Sequence, residues 1–117
     1  MLNYLPHQFR APEEYEFEEE SEKVDIFSMG NIFYSILSGD SPFEGEKESK
    51  AQKKVINGKR PKIPDEVLKS DDIAINAILS VTRKCWEQSP SDRPTAAEVR
   101  DQLKNVIDKM KSQHLSR

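Results

Sequence analysis

Apolar positions along this chain recur at helical spacing almost throughout, and strict two-residue alternation is nearly absent. From about Glu22 to Ser38 the apolar residues are Val24, Ile26, Phe27, Met29, Ile32, Phe33, Ile36 and Leu37. Ser21 stands where an N-cap belongs, and Gly39 where a left-handed residue closes a helix. These apolar positions run most of the way round the helix rather than along one stripe, and such a helix needs burial on all sides. A chain of 117 residues can hardly surround it, so partner structure is expected.

Three further helices follow. Lys47 to Asn57 is short and charged, with Ala51, Val55 and Ile56 as its apolar side and Gly58 as its stop. Arg60-Pro61-Lys62-Ile63-Pro64 must then be extended, since each proline disfavours helix before it. The next helix opens at Ser70-Asp71-Asp72, a cap followed by acids at the positive end of the helix dipole. In it Ile75, Ile78, Leu79, Thr82, Cys85 and Trp86 share one face. The last opens with Thr95-Ala96-Ala97-Glu98, a capping box, and continues with a stripe of Val99, Leu103, Val106, Ile107 and Met110. The tail 113–117 is expected to fray. The predicted fold is all-α, with four main helices and no substantial sheet, in one domain over residues 1–112.

Composition narrows the function classes. A net charge of −3 gives no general attraction to nucleic acid or anionic membranes. The basic-rich stretch Lys47 to Lys62 has no interleaved aromatic residue for base stacking. The acid-dense Glu13 to Glu22 reads as a solvated loop, with a dock for basic segments as the lesser reading. One cysteine, Cys85, excludes an intramolecular disulfide and suits the cytoplasm or nucleus. No run approaches the roughly 18 apolar residues of a membrane span. Met1 to His7 shows no basic region followed by an apolar one, so no signal peptide is expected.

Three short motifs stand in order: Phe9-Arg10-Ala11-Pro12-Glu13, then Asp25-Ile26-Phe27-Ser28-Met29-Gly30, then Cys85-Trp86 followed by Arg93-Pro94-Thr95. Each alone is weak, but together they resemble the back half of a protein kinase catalytic domain, from the Ala-Pro-Glu motif to the last helix of the large lobe. The Cys-Trp pair and the Arg-Pro-Thr run resemble the tyrosine kinase and tyrosine-kinase-like branches most. Pro6 stands where serine/threonine kinases usually carry threonine, and Phe27 where a tryptophan or tyrosine is frequent.

The resemblance implies roles by residue. Glu13 would pair with Arg93; the bland alternative is two ordinary surface charges, which contribute little. Asp25 would hydrogen-bond the backbone of a catalytic loop that this sequence lacks; otherwise it is an acid in a first helical turn. Trp86 reads as a core anchor and Cys85 as a small buried hydrophobe. Pro6, His7, Gln8 and Phe9 would floor the substrate cleft; the plain alternative is an extended terminal tail.

Phosphoryl transfer needs a phosphate cradle, a lysine on the nucleotide, metal-binding Asp and Asn, and an Asp that positions the acceptor hydroxyl. Gly30, Gly39, Gly45 and Gly58 form no Gly-x-Gly-x-x-Gly. His7 and His114 begin no His-Arg-Asp, and no Asp-Phe-Gly occurs. Two histidines and one cysteine make no zinc site. No catalytic, cofactor-binding or metal residue is therefore assigned; the resemblance implies ATP and magnesium only for an intact kinase. The expected function is that of a kinase fragment, inactive alone, whose partner is a protein substrate or the missing kinase portion, with neither nucleic acid nor membrane. The alternative is a stand-alone remnant that docks a protein through the exposed surfaces of its first and second helices. An unrelated adaptor bundle of near-parallel helices is the remaining reading.

Overall fold

The structure, a computed structural model, describes residues 10–15 and 21–115. Its elements are α1 (Pro12–Tyr15), α2 (Lys23–Ser38), α3 (Glu48–Ile56), α4 (Asp65–Leu68), α5 (Ile73–Cys85), a 3-10 turn at Pro90–Asp92 and α6 (Ala96–Leu115). Among the described residues there is no strand. The four expected helices are present as α2, α3, α5 and α6, and α1 and α4 are single-turn additions. The α4 turn starts straight after Pro64, whose fixed φ suits a helix entry, and carries Asp65 and Glu66 in its first turn.

The ends of the helices follow their local chemistry. Ser21 Oγ accepts the Lys23 N–H at 3.2 Å, one residue outside the strict cap position, which Glu22 occupies. At the other end Gly39 has φ 78° and donates its N–H to the Ser35 carbonyl. Helix α3 closes in a Schellman arrangement: Lys59 N–H bonds the Lys54 carbonyl at 2.8 Å and Gly58 N–H the Val55 carbonyl at 3.1 Å. Gly58 has φ 83° there, a conformation natural to glycine. Asp72 caps α5, its carboxylate accepting from the Ala74 and Ile75 N–H groups at 2.8 and 3.0 Å. The capping box of α6 forms in both directions, Thr95 N–H to Glu98 Oε1 at 3.0 Å and Glu98 N–H to Thr95 Oγ1 at 3.1 Å. This helix continues through Leu115, past Gln113 where fraying was expected.

Helix α2 lies in the middle. It packs along α5, α5 packs against α6, and α1 lies on α3. One core cluster joins Ala11, Val24, Phe27, Tyr34, Val55 and Trp86. A second joins Ile26, Val81, Cys85 and Val99, with Met29, Phe33 and Leu103 packed against it. Gly30 permits the close passage of α2 over the end of α5: a Cβ there would stand 2.9 Å from Cys85 Cβ and 3.0 Å from the Trp86 ring. Two sides of α2 are thus covered. On the remaining side Ile32 and Ile36 are 50% and 65% exposed.

Two expected stripes are corrected. On α5 the deeply buried set includes Val81, which sequence spacing did not select, while Ile75 and Ile78 are only half-buried. Among the described side chains of α6, Val99 alone is buried; Ile107 and Met110 are 50% and 40% exposed, because the helix overshoots its support on α5.

Candidate functional site

The centre of this molecule's polar chemistry is Arg93, in extended backbone just after the 3-10 turn. Its guanidinium grips the Glu13 carboxylate with both forks, Nη1 to Oε2 at 2.7 Å and Nη2 to Oε1 at 2.8 Å. The remaining N–H groups donate to the carbonyls of Glu87 at 2.8 Å, Lys23 at 3.0 Å and Gln88 at 3.2 Å. All five guanidinium donors are satisfied. Glu13 is 3% and Arg93 2% exposed. A desolvated charge pair is tolerated only when its hydrogen bonds are completed in this way. Lys23 answers from α2, its Nζ donating to the Arg93 carbonyl at 2.6 Å. The clasp therefore joins α1, the start of α2 and the turn before α6.

A second arginine stands across an aromatic ring. Arg60 and Arg93 each place Cζ 4.9 Å from the centroid of Phe27, so both cations use the negative ring faces. Arg60 donates from Nε and Nη2 to the Trp86 carbonyl at 2.9 and 2.6 Å, and from Nη2 to Gln88 Oε1 at 2.7 Å. Burial, with the Arg93 charge behind it, pulls the Arg60 pKa from 12.5 to about 10. It stays charged at neutral pH. Sequence reading passed over Arg60, because nothing in its spacing marks a cation as buried.

Trp86 is 5% exposed and closes the same region. Its indole N–H donates to Asn31 Oδ1 at 2.8 Å, and its ring lies 5.6 Å from that of Tyr34. Tyr34 donates its hydroxyl to the Lys62 carbonyl at 3.2 Å, pinning the extended segment after α3. Asn31 and Tyr34 were also missed; a polar and an aromatic residue four and seven positions after Phe27 were the available signal.

The structure places the sequence-selected residues as follows. Glu13 and Arg93 meet. Asp25 is exposed on α2. Pro6, His7, Gln8 and Phe9 lie outside the described residues. Burial pushes the Cys85 thiol up to about 11, so it is not a thiolate at neutral pH. Among the described residues no group of three His, Cys, Asp or Glu side chains could hold a metal ion. Among the described residues no helix is long and apolar enough to cross a membrane.

Comparison with known proteins agrees with the motif order. The family described as protein kinase domain matches residues 4–103. A probable serine/threonine-protein kinase of Dictyostelium discoideum is 29% identical over 99 residues, covering 85% of this chain and 10% of that protein. The serine/threonine-protein kinase VIK of Arabidopsis thaliana is 27% identical over 108 residues, covering 92% of this chain and 23% of that protein. The dual specificity protein kinase pyk3 of Dictyostelium discoideum is 31% identical over 103 residues, covering 87% of this chain and 7% of that protein. The chain thus spans less than a quarter of the length of these relatives.

Proposed function

The chain belongs to the protein kinase domain family, and from that premise we propose that it supplies the closing helical part of a kinase large lobe while having no phosphoryl-transfer activity by itself. The intact protein would transfer the ATP γ-phosphate, with magnesium, to a protein hydroxyl. The observation that carries this reading is the buried clasp between Glu13 and Arg93. It fixes Ala11-Pro12-Glu13 to the loop before α6, and so gives the residues just before it a rigid base. Pro6, His7, Gln8 and Phe9 immediately precede that base and are the residues we assign to protein-substrate contact. Relatives bearing both serine/threonine and dual-specificity names leave both acceptor types in the proposal. The likeness of Cys85-Trp86 and Arg93-Pro94-Thr95 to the tyrosine-kinase-like branch is part of the same reading, as is a signalling role in the cytoplasm or nucleus.

Two measurements test it. The purified chain, mixed with ATP, magnesium and a general protein substrate, should transfer no phosphate above buffer, and nucleotide should not raise its melting temperature. Transfer by the chain alone would overturn the claim of inactivity. Sequencing the native transcript on the 5′ side of the Met1 codon should show an open frame encoding Asp-Phe-Gly and His-Arg-Asp. An in-frame stop directly before Met1 would contradict the fragment reading.

One observation favours a second reading, a stand-alone module that docks a protein. Ile32 and Ile36 form an exposed apolar strip on the central helix, and such surface usually marks an interface.

A further inference from the structure

The charge of this chain is unevenly placed. Residues 47–62 hold seven of the 18 Lys and Arg and one of the 21 Asp and Glu, so a chain of net charge −3 carries +6 here and −9 elsewhere. The fold turns that excess outward. Ala51 and Val55 bury the inner side of α3, which leaves Lys50 and Lys53, with Lys47 at its start, exposed on the outer side. After the Gly58 turn the chain is extended; Pro61 is buried and Lys59 and Lys62 are exposed. The Tyr34 hydroxyl fixes that segment through the Lys62 carbonyl at 3.2 Å. Among the described residues, none of these five lysines forms an ion pair. In contrast, Lys54 on the flank is paired with Glu46.

Beside the lysines lies a cleft of about 420 Å³ between the loop after α2 and the extended segment. Tyr34, Phe43 and Pro61 line part of it. Phe43 holds φ 53°, an unfavourable conformation for an aromatic residue, so the loop maintains that wall against its own backbone preference.

We propose that the lysine face of α3 and residues 59–62 docks an acidic, extended protein segment, which seats one aliphatic or aromatic side chain in the adjacent cleft. Charge complementarity selects the partner, and the apolar wall gives it a fixed register. Nucleic acid fits less well. Asp40, Glu44 and Glu46 also line the cleft, so the residue seated there is the uncharged one of the segment, and no exposed aromatic stands among the lysines for base stacking. The proposal deepens the docking reading: it assigns a charge and a partner class to the surface of α3 (Glu48–Ile56), separate from Ile32 and Ile36, and its assay contains no nucleotide.

The test is fluorescence anisotropy of the full chain with a labelled peptide of Glu and Asp around a central Leu. Saturable binding is expected at low salt and should weaken clearly at about 0.15 M, where the Debye length is about 8 Å. The variant Lys50→Glu/Lys53→Glu/Lys62→Glu should weaken it about tenfold or more. The control Lys104→Glu/Lys109→Glu/Lys111→Glu, on exposed positions of α6, should leave it unchanged. Both variants change only exposed residues, so their melting temperatures should stay near that of the parent. Absence of saturation, equal loss in the two variants, indifference to salt, or tighter binding of an oligothymidylate would each overturn the proposal.

Discussion

Arg93 shows at the scale of one residue how much a single side chain can hold in place. Its five donors serve a carboxylate and three carbonyls, so truncation strands the 3%-exposed Glu13 charge as well as those carbonyls. Removing one member of a buried pair costs roughly 3–5 kcal/mol. Arg93→Ala should therefore lower the melting midpoint by more than about 10 °C. Arg100 meets Asp101 with both side chains mostly exposed, and Arg100→Ala should change stability by no more than about 0.5 kcal/mol. Thermal melts of the two variants side by side decide the matter; similar shifts would mean that the clasp is not structural. Tyr15 gives a second residue-scale expectation. Burial, opposed in part by Arg10, raises its hydroxyl from 10.0 to about 12. The folded state keeps the neutral phenol while the unfolded chain can ionise, so this contribution is complete below pH 10 and lost as pH rises from 10 towards 12. Urea midpoints at pH 8 and near pH 11 should fall more for the parent chain than for Tyr15→Phe.

Pairs of elements carry the next constraint. Where α2 crosses the end of α5, the absent side chain of Gly30 is what lets the helices approach. Alanine there would regain about 0.5–1 kcal/mol of helix preference. It would also push a methyl to 2.9 Å from Cys85 Cβ and 3.0 Å from Trp86 Cδ1, and overpacking of this kind costs about 1–3 kcal/mol. A net loss of about 1 kcal/mol is expected for Gly30→Ala, read from chemical denaturation; a gain would show that the crossing can open at little expense. This close approach was not legible in the sequence, where Gly30 is one more glycine in an apolar run. The long helices were legible because their signals are local: the caps at Asp72 and Thr95, the stops at Gly39 and Gly58, the periodic apolar residues. Val81 escaped notice because α5 is buried on two sides, against α2 and α6, so its apolar face is wider than a single stripe. Ile107 and Met110 were misjudged for the opposite reason, a regular stripe that outruns its partner. Glu13 and Arg93 were paired through resemblance, since spacing alone does not bring together residues 80 positions apart. Arg60 was beyond reach, because its burial depends on where the Trp86 carbonyl happens to point.

Across the whole molecule, the unbalanced feature is the central helix. Its apolar residues face three directions, and the described residues cover two of them. The exposed strip of Ile32 and Ile36 is large enough to matter and small enough to remove without disturbing the core. Ile32→Ser/Ile36→Ser should keep the fold, with a change in stability of about 1 kcal/mol or less, and should reduce both self-association and binding of a hydrophobic dye. Sedimentation at several concentrations checks this. An unchanged association profile would place the sticky surface elsewhere, with the exposed Leu68, Ile107 and Met110 next to examine.

The clasp also sets an order in time. Most of the packing described here lies within or between helices that can assemble as they emerge, but Glu13 waits for a partner 80 residues later in the chain. At about 5–20 residues per second of synthesis, its carboxylate spends roughly 4–16 s without that guanidinium. During that interval α1 lacks its tie to the loop before α6, and the cluster of Ile26, Val81 and Cys85 lacks Val99, which α6 supplies. A ribosome paused before the Arg93 codon therefore holds an unfinished molecule whose central helix is a natural target for a chaperone.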